Sequence, residues 1–317
     1  GGWYEVLNPW RVLVNLLARV LPRFKNGLYT YPQRLAYYPA LLLYIVFIWV
    51  ELLAHTRPFS LSAWLLGYTV LNVLGAALIG RRAWFKYAEF TAVLLRLISR
   101  MAPLQYVADA PRSHRWQLQW PLLGLLRDTP RELSVLLFVL FMLSSTSFDG
   151  LQETAWWFNI VWRDATGLLT PLLGTPPIYA YVWLRPWYTL YESIVLALSP
   201  LLYGAVFVMF VWLGELCVGH VANWQRTRRL ALQFALTLLP IAWVYHLTHY
   251  YTLLLSQGVK IQALISDPFG WNWDLFGTAM TLRIPIIPNI ETVWYSQVGL
   301  ILLGHIASVY LAHRVAL

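Results

Sequence analysis

The sequence predicts an all-α integral membrane protein: a polytopic bundle of about six transmembrane helices with two further amphipathic helices at the membrane surface. Hydrophobic residues make up 59% of the 317 residues and charged residues only 12%, about half the charged share of an ordinary soluble domain. Lipid accepts so apolar a surface, but it obliges the backbone to satisfy its own hydrogen bonds, which favours helices. The apolar residues also recur in runs of about 20, the length that crosses the hydrocarbon core.

We expect a single membrane domain over residues 1–317, which the apolar runs divide into four regions. Residues 1–34 carry an interfacial N-terminal helix, and residues 35–80 form a helical hairpin. Residues 81–131 form a basic loop with a second interfacial helix, and residues 132–317 hold four spans and two aromatic outer loops. The sequence begins without Met, so we expect native residues to precede it.

The two interfacial helices are indicated by amphipathic stretches. Asn8 is a residue type that caps helices, and Pro9 suits the first helical position. Leucine and valine then recur at helical spacing opposite a polar face, and this face has too many polar residues for a membrane span. Residues 90–104 predict the second helix of this kind.

Six apolar runs predict the spans. They cover residues 35–54, 61–80, about 130–148, a stretch within 187–219, 230–255 and 292–313. The third run starts with Thr129-Pro130-Arg131-Glu132, which predicts a capping box with proline at the first helical position.

Basic residues collect between alternate spans. All but five of the 23 Lys and Arg residues lie in segments that this topology places on one side. The five exceptions are Arg57, Arg163, Arg185, Lys260 and Arg283. Cytoplasmic loops carry such an excess, so we expect a protein of the inner, cytoplasmic membrane with its basic loops in the cytoplasm. We expect no nucleic acid as a partner, because the cations do not gather on one soluble face.

Three histidines in the last two spans form the candidate site. His246 and His249 are three residues apart, which places both imidazoles on one face of a helix. His305 lies in the sixth span. An ionisable side chain is costly at membrane depth, so each one suggests a function. At a rise of about 1.5 Å per residue, His246 and His305 could face each other in the outer half of the membrane.

Several chemistries fit this group of histidines. Three neutral imidazoles could bind a zinc or copper ion and leave a position open for water or substrate. Two of them on facing helices could instead ligate the iron of haem b, or each could simply hydrogen-bond a neighbouring helix. Asp149, at the outer end of the third span, could be a metal ligand, a group that orients a histidine, or a turn residue beside Gly150.

Two outer segments are rich in aromatic residues, 156–187 and 256–290. Aromatic residues are enriched at the headgroup level of membranes. In the second segment, Asp267-Pro268 and the glycines after it predict turns. The aromatics of this segment could fold back as a lid over the outer end of the bundle.

Several segments resemble a known family. They are Asn8-Pro9-Trp10-Arg11, SSTSFDG ending at Gly150, HLTHYY from His246, SDPFGWNWDLFGT from Ser266, and VWYSQVGLILLGHIASVYLAH from Val293. Together they resemble bacterial and archaeal membrane proteins commonly labelled fenitrothion hydrolase, over nearly the whole chain. Members usually carry further hydrophobic segments before the NPW motif. The label implies cleavage of an organophosphate ester, for which a metal-bound hydroxide would be a suitable nucleophile.

Three functions are compatible with these observations. The leading hypothesis is a membrane subunit that holds a metal or haem near its outer face within a larger redox or transport complex. Its basis is the histidine group on a chain with little mass outside the bilayer and many aromatics for a protein partner to cover. The second is a metal-dependent hydrolase in which His246, His249 and His305 hold the ion and Asp149 is the catalytic group that positions water. The third is a structural scaffold without a cofactor.

Overall fold

The computed structural model describes residues 7–54, 56–110, 113–219, 223–281, 284 and 288–317, with the backbone alone for 106–110 and 113–115. Arg112 and Arg283, both part of the charge distribution above, lie outside these residues. The main helices are α1 (Pro9–Val20), α2 (Tyr38–Leu52), α3 (Pro58–Ile79), α4 (Phe90–Ser99), α5 (Leu133–Gln152), α6 (Ala155–Trp162), α7 (Tyr181–Cys217), α8 (Trp224–Phe234), α9 (Leu239–Gln257) and α10 (Ile290–Ala316).

Short helical turns connect these helices. Short α-helices span Arg23–Asn26, Arg81–Ala83, Leu169–Leu173 and Ile261–Ser266. Turns of 3-10 helix span Gln33–Leu35, Leu123–Leu125, Pro177–Ala180, Ala235–Leu238 and Gly258–Lys260, and a π-helical turn spans Trp84–Ala88.

Five helical runs in the described part of the chain are long and apolar enough to cross a membrane. They are Pro58–Ile79, Leu133–Gln152, Pro177–Cys217, Trp224–Ser266 and Ile290–Ala316. A helical chain must satisfy its backbone internally in lipid, and these runs do so over the required length. The predicted all-α membrane fold is therefore confirmed.

The first of the six predicted spans, residues 35–54, is shorter than expected. It forms α2, which has 15 residues and would extend about 22 Å at 1.5 Å per residue, less than the ~30 Å hydrocarbon core. The helix cannot start at residue 35, because Ala36 has a φ of 39°, outside the right-handed helical region. Helix α2 buries one face, which includes Tyr44 and Ile48, and leaves Leu42 and Phe47 exposed on another.

Helix α5 occupies the centre of the bundle and packs against α2, α7 and α9. Its buried Phe138 and Phe141 lie with their ring centroids 5.1 and 5.0 Å from that of Tyr44. Burial of large aromatic side chains contributes strongly to packing. Helices α2 and α5 therefore form a rigid support for the residues near their ends.

The predicted capping box at residues 129–132 is wrong. Helix α5 begins at Leu133, and Glu132 is its N-cap residue without a side-chain capping bond. The start of the helix is fixed by a tertiary contact, since the Tyr37 N–H donates to the buried Ser134 hydroxyl at 3.0 Å. This bond places the starts of α2 and α5 side by side.

The two surface helices are joined through their caps. Asn8 Oδ1 accepts from the Arg11 N–H at 2.9 Å, as predicted for the cap of α1. Asn8 Nδ2 also donates to Glu89 Oε2 at 3.0 Å. Glu89 is the N-cap of α4 and accepts from the Thr91 and Ala92 N–H groups. One buried pair of side chains therefore caps both helices.

The second surface helix ends earlier than expected. Helix α4 stops at Ser99, and an antiparallel hairpin follows, with strands β1 (Leu104–Ala110) and β2 (Ser113–Leu118). Pro103 lies just before β1 and disfavours helix at the residue that precedes it. The expectation of helix up to residue 104 is therefore wrong at its end.

The two aromatic segments differ in their packing. In the first, the buried Trp157 on α6 stacks on Tyr191 of α7 at 5.1 Å between centroids. In the second, Phe269 stacks on Trp271, Trp273 contacts both rings edge-on, and all three remain exposed. The first segment is therefore anchored to the bundle at Trp157, whereas these three residues of the second form an exposed aromatic surface.

Candidate functional site

Helix α9 carries three side chains that each pair with a residue of another helix. We call these six residues the polar layer. They are Tyr44 and Glu51 of α2, Asp149 of α5, and His246, His249 and Tyr250 of α9. The three residues of α9 follow helical spacing, so they lie on adjoining positions of one face over a rise of about 6 Å.

The first pair joins His246 to Tyr44. The Tyr44 hydroxyl lies 2.7 Å from His246 Nε2, and His246 Nδ1 lies 3.0 Å from the Ala242 carbonyl oxygen. A carbonyl can only accept, so in neutral His246 the proton is on Nδ1 and Nε2 accepts from Tyr44. Both ring nitrogens of His246 are therefore engaged.

The second pair joins His249 to Asp149. His249 Nδ1 lies 3.3 Å from Asp149 Oδ2, and Gln152 Nε2 donates to Asp149 Oδ1 at 2.8 Å. The side chains are 35% and 17% exposed, respectively. Asp149 therefore lies within ionic-contact distance of the imidazole, and the histidine remains reachable from outside the bundle. The role of Asp149 as a group that orients a histidine stays a prediction.

The third pair joins Tyr250 to Glu51. The Tyr250 hydroxyl donates to Glu51 Oε1 in a short hydrogen bond. The sequence pattern does not predict this contact, because it does not show which helix α2 meets at Glu51. It adds a second carboxyl group to the polar layer.

The polar layer lies toward one end of the bundle. Glu51 and Asp149 are within the last turn of α2 and α5, whose starts meet at Tyr37 and Ser134. The basic residues gather at those starts, where one cavity is lined by Lys86, Arg96, Arg100 and Arg131 together with Tyr37. The polar layer is therefore at the end opposite the basic loops.

His305 lies apart from the polar layer. Helix α10 faces α9 through Gln297, whose Nε2 donates to the Thr248 carbonyl at 2.9 Å, and through Ser308, whose hydroxyl accepts from the Ile241 N–H at 3.2 Å. His305 itself is exposed, bonds the Ile301 carbonyl through Nδ1 at 2.8 Å, and has its ring 6.3 Å from that of Tyr245. The structure therefore brings His246 and His249 onto one face but turns His305 outward.

A metal ion would need several converging ligands. Among the described residues, no three His, Cys, Asp or Glu side chains are grouped so that they could hold one. The donors present are paired instead, and His246 uses both nitrogens within the protein. The assignment of a metal or haem to His246, His249 and His305 remains a prediction.

Sequence reasoning missed the two tyrosines of the layer. Tyr44 lies within an apolar run and Tyr250 in a run of aromatics, where both resemble ordinary packing or interfacial residues. The one available signal was the rule that a buried tyrosine hydroxyl finds a partner. That rule predicts a partner but does not say which one.

The side chains of the polar layer are of types that can exchange protons. It contains two carboxyl groups, two imidazoles and two phenols, joined in three hydrogen-bonded or ionic pairs. Each pair contains at least one group that can both give and accept a proton.

Comparisons with known proteins add nothing to what the geometry of the polar layer indicates about function. No family model, no curated protein and no solved structure matches the chain.

Proposed function

We propose that this protein is a multi-pass membrane subunit whose polar layer binds and passes protons at one end of the bundle, within a larger redox or transport complex. The observation that carries the proposal is the pair formed by His249 and Asp149, 3.3 Å apart. Carboxylates and imidazoles inside a membrane domain are costly and commonly mark proton pathways.

The His249 pair supplies a balanced proton-binding step. A proton that binds His249 Nε2 produces an imidazolium whose Nδ1–H faces Asp149, and the carboxylate compensates the new positive charge. Loss of the same proton returns the neutral imidazole. The step moves only a proton, which the aqueous phase can supply and take back, so it needs no other reactant.

The neighbouring pairs extend the layer in two directions. His246 lies about one turn before His249 and Tyr250 in α9, and its partner Tyr44 on α2 packs its ring against Phe138 and Phe141. Glu51 and Tyr250 lie on the exposed side, since Glu51 is solvent-accessible. The layer thus runs from an accessible carboxyl group to an interior imidazole.

Nitrogen NMR of histidine-labelled protein in nanodiscs tests this proposal. We expect the His249 ring nitrogens to exchange protons with the aqueous phase, and Asp149→Asn to change the rate of that exchange, because it removes the carboxylate that faces Nδ1. His305→Gln is the control, since it removes an imidazole outside the layer and should leave the His249 exchange rate unchanged. If His249 does not exchange protons, or exchanges them at the same rate in Asp149→Asn, the proposal is wrong.

The metal or haem prediction has its own readout. Elemental analysis and an absorption spectrum of the purified protein would detect stoichiometric zinc or copper, or a haem band. The prediction requires that His246→Ala and His305→Ala release that group. Retention of a bound group in both variants would remove these histidines as ligands.

Ester hydrolysis, which the family resemblance implies, is supported by one feature of the layer. A carboxylate close to an imidazole is the arrangement of a general base, and Asp149 and His249 have it. Hydrolysis of a chromogenic phosphate triester by the protein in nanodiscs would test this second candidate. Activity that is unchanged in both Asp149→Asn and His249→Gln would exclude this pair as its site.

A further inference from the structure

A cationic cavity lies at the basic end of the bundle, between the two surface helices and the end of α3. Its volume is about 430 Å³, within the range of pockets that bind small ligands. Five cationic residues line it, together with Asn15 and Phe85: Arg11, Arg81, Arg82, Lys86 and Arg96. No carboxyl group is among its described lining residues.

The fold brings these cations together from three separate segments. Arg11 comes from α1, Arg81, Arg82 and Lys86 from the turn after α3, and Arg96 from α4. An apolar cluster beneath them, which includes Val14, Ala76 and Phe85, holds the three segments in place. Like charges at short range repel one another, so an anion in the cavity would stabilise this arrangement.

Two of the cationic groups are held in position by the protein itself. Arg81 Nη1 donates to Asn15 Oδ1 at 2.6 Å, and the Arg96 guanidinium donates to the Lys86 carbonyl in a short hydrogen bond. Fixed guanidinium groups match the oxygens of a phosphate. The cavity is therefore preorganised for a phosphate group.

The position of the cavity indicates a lipid as the source of that phosphate. Arg81 and Arg82 follow Gly80, the C-cap residue of the apolar helix α3, and so lie at headgroup level. On α1, Val12, Leu16 and Val20 form a stripe at four-residue spacing and are 42%, 51% and 79% exposed. This apolar stripe adjoins the face with Arg11 and Asn15 and offers a surface for acyl chains.

We propose that this cavity binds the phosphate of an anionic phospholipid headgroup, with the acyl chains against the exposed stripe of α1. Basic pockets between helices on one side of a membrane bind such headgroups. The site is separate from the polar layer, which lies at the other end of the bundle.

Native mass spectrometry of protein from nanodiscs containing phosphatidylglycerol tests this proposal. We expect the protein to retain this lipid through detergent extraction, and to retain phosphatidylcholine at least ten-fold less. Arg82→Gln with Lys86→Gln should lower the retention of phosphatidylglycerol at least ten-fold. Both side chains are exposed, and the bond between Arg81 and Asn15 stays intact, so the variant should fold.

Arg228→Gln with Arg229→Gln is the matched control. It removes two exposed cations from another basic cavity, one that also contains Asp128. An equal loss of lipid in both double variants would show general surface attraction and overturn the assignment to this cavity.

A titration with inorganic phosphate, read by tryptophan fluorescence of the delipidated protein, separates the two sources of phosphate. Phosphate binding that depends on Arg82 and Lys86, without any retained phosphatidylglycerol, would assign the cavity to free phosphate and refute the lipid proposal. Absence of both kinds of binding would also refute it.

Discussion

At the scale of single residues, a buried polar group is tolerated when every hydrogen-bonding atom has a partner. Glu89 is fully buried and accepts from Asn8 Nδ2, the Tyr68 hydroxyl, and the Thr91 and Ala92 N–H groups. The Asn-Pro-Trp sequence at residues 8–10 therefore has a structural role in joining the surface helices.

Substitution Glu89→Ala should destabilise the protein strongly. It removes the acceptor for several buried donors at once, and each unsatisfied donor costs about 1–3 kcal/mol. We expect the apparent Tm in detergent to fall by roughly 5 °C or more, as measured by tryptophan fluorescence. Glu153→Ala, at an exposed glutamate, should change it little, and equal shifts would contradict this account.

Asp164 should make its turn sensitive to acid. The N–H of Leu169, with that of Thr170, lowers the pKa of the Asp164 carboxyl from 3.8 to about 2. A lowered pKa means that the carboxylate stabilises the turn above about pH 4, and that this contribution is lost as the pH falls toward 2.

Amide NMR signals of Leu169 and Thr170 in micelles provide the measurement. We expect them to shift with a midpoint near pH 2 in the wild-type protein. In Asp164→Asn the shift should disappear, and its persistence would assign the titration to another group.

At the scale of helices, one close contact determines how the segment after α3 packs against that helix. Gly75 of α3 lies against Trp84, and an added Cβ would be 2.3 Å from the ring. The Trp84 indole N–H donates to the buried Asn72 Oδ1 at 2.7 Å. Trp84 therefore can stack over α3 only because residue 75 has no side chain.

Gly75→Val should destabilise the protein by about 1–3 kcal/mol, the usual range for overpacking. Gly67→Val is the matched control, because Gly67 lies in the same helix and nothing would lie within 4 Å of its added Cβ. Thermal unfolding of both variants in detergent is the measurement. A similar loss of stability in both would mean that helix propensity, and not the contact with Trp84, sets the effect.

At the scale of the whole molecule, the separation of charge between the two ends predicts the orientation. The basic cavities gather at one end, whereas Glu51 and Asp149 mark the other. Cytoplasmic segments carry the excess of Lys and Arg in membrane proteins.

Cysteine labelling in intact cells tests that orientation. In a Cys217→Ser background, Glu153→Cys should react with a membrane-impermeant maleimide, and Gln225→Cys should react only after lysis. Both positions are exposed and lie at opposite ends of the bundle. The reverse pattern would place the basic loops outside.

The sequence by itself determined the fold class, five of the six predicted spans, both surface helices and the cap at Asn8. These are local properties, because run length, helical spacing and capping residues act within a few turns of chain. The same reasoning failed at residues 35, 104 and 129–132, where Ala36, Pro103 and the bond from Tyr37 to Ser134 set the helix limits.

Only the tertiary structure decided which partner each site residue meets. It directs His246 to Tyr44, His249 to Asp149 and Tyr250 to Glu51, and it turns His305 away. A helix that is apolar on most sides has little amphipathic signal to fix its rotation or its register against its neighbours. The rotation and the register follow from packing across the whole bundle, and they determine which side chains meet at the site.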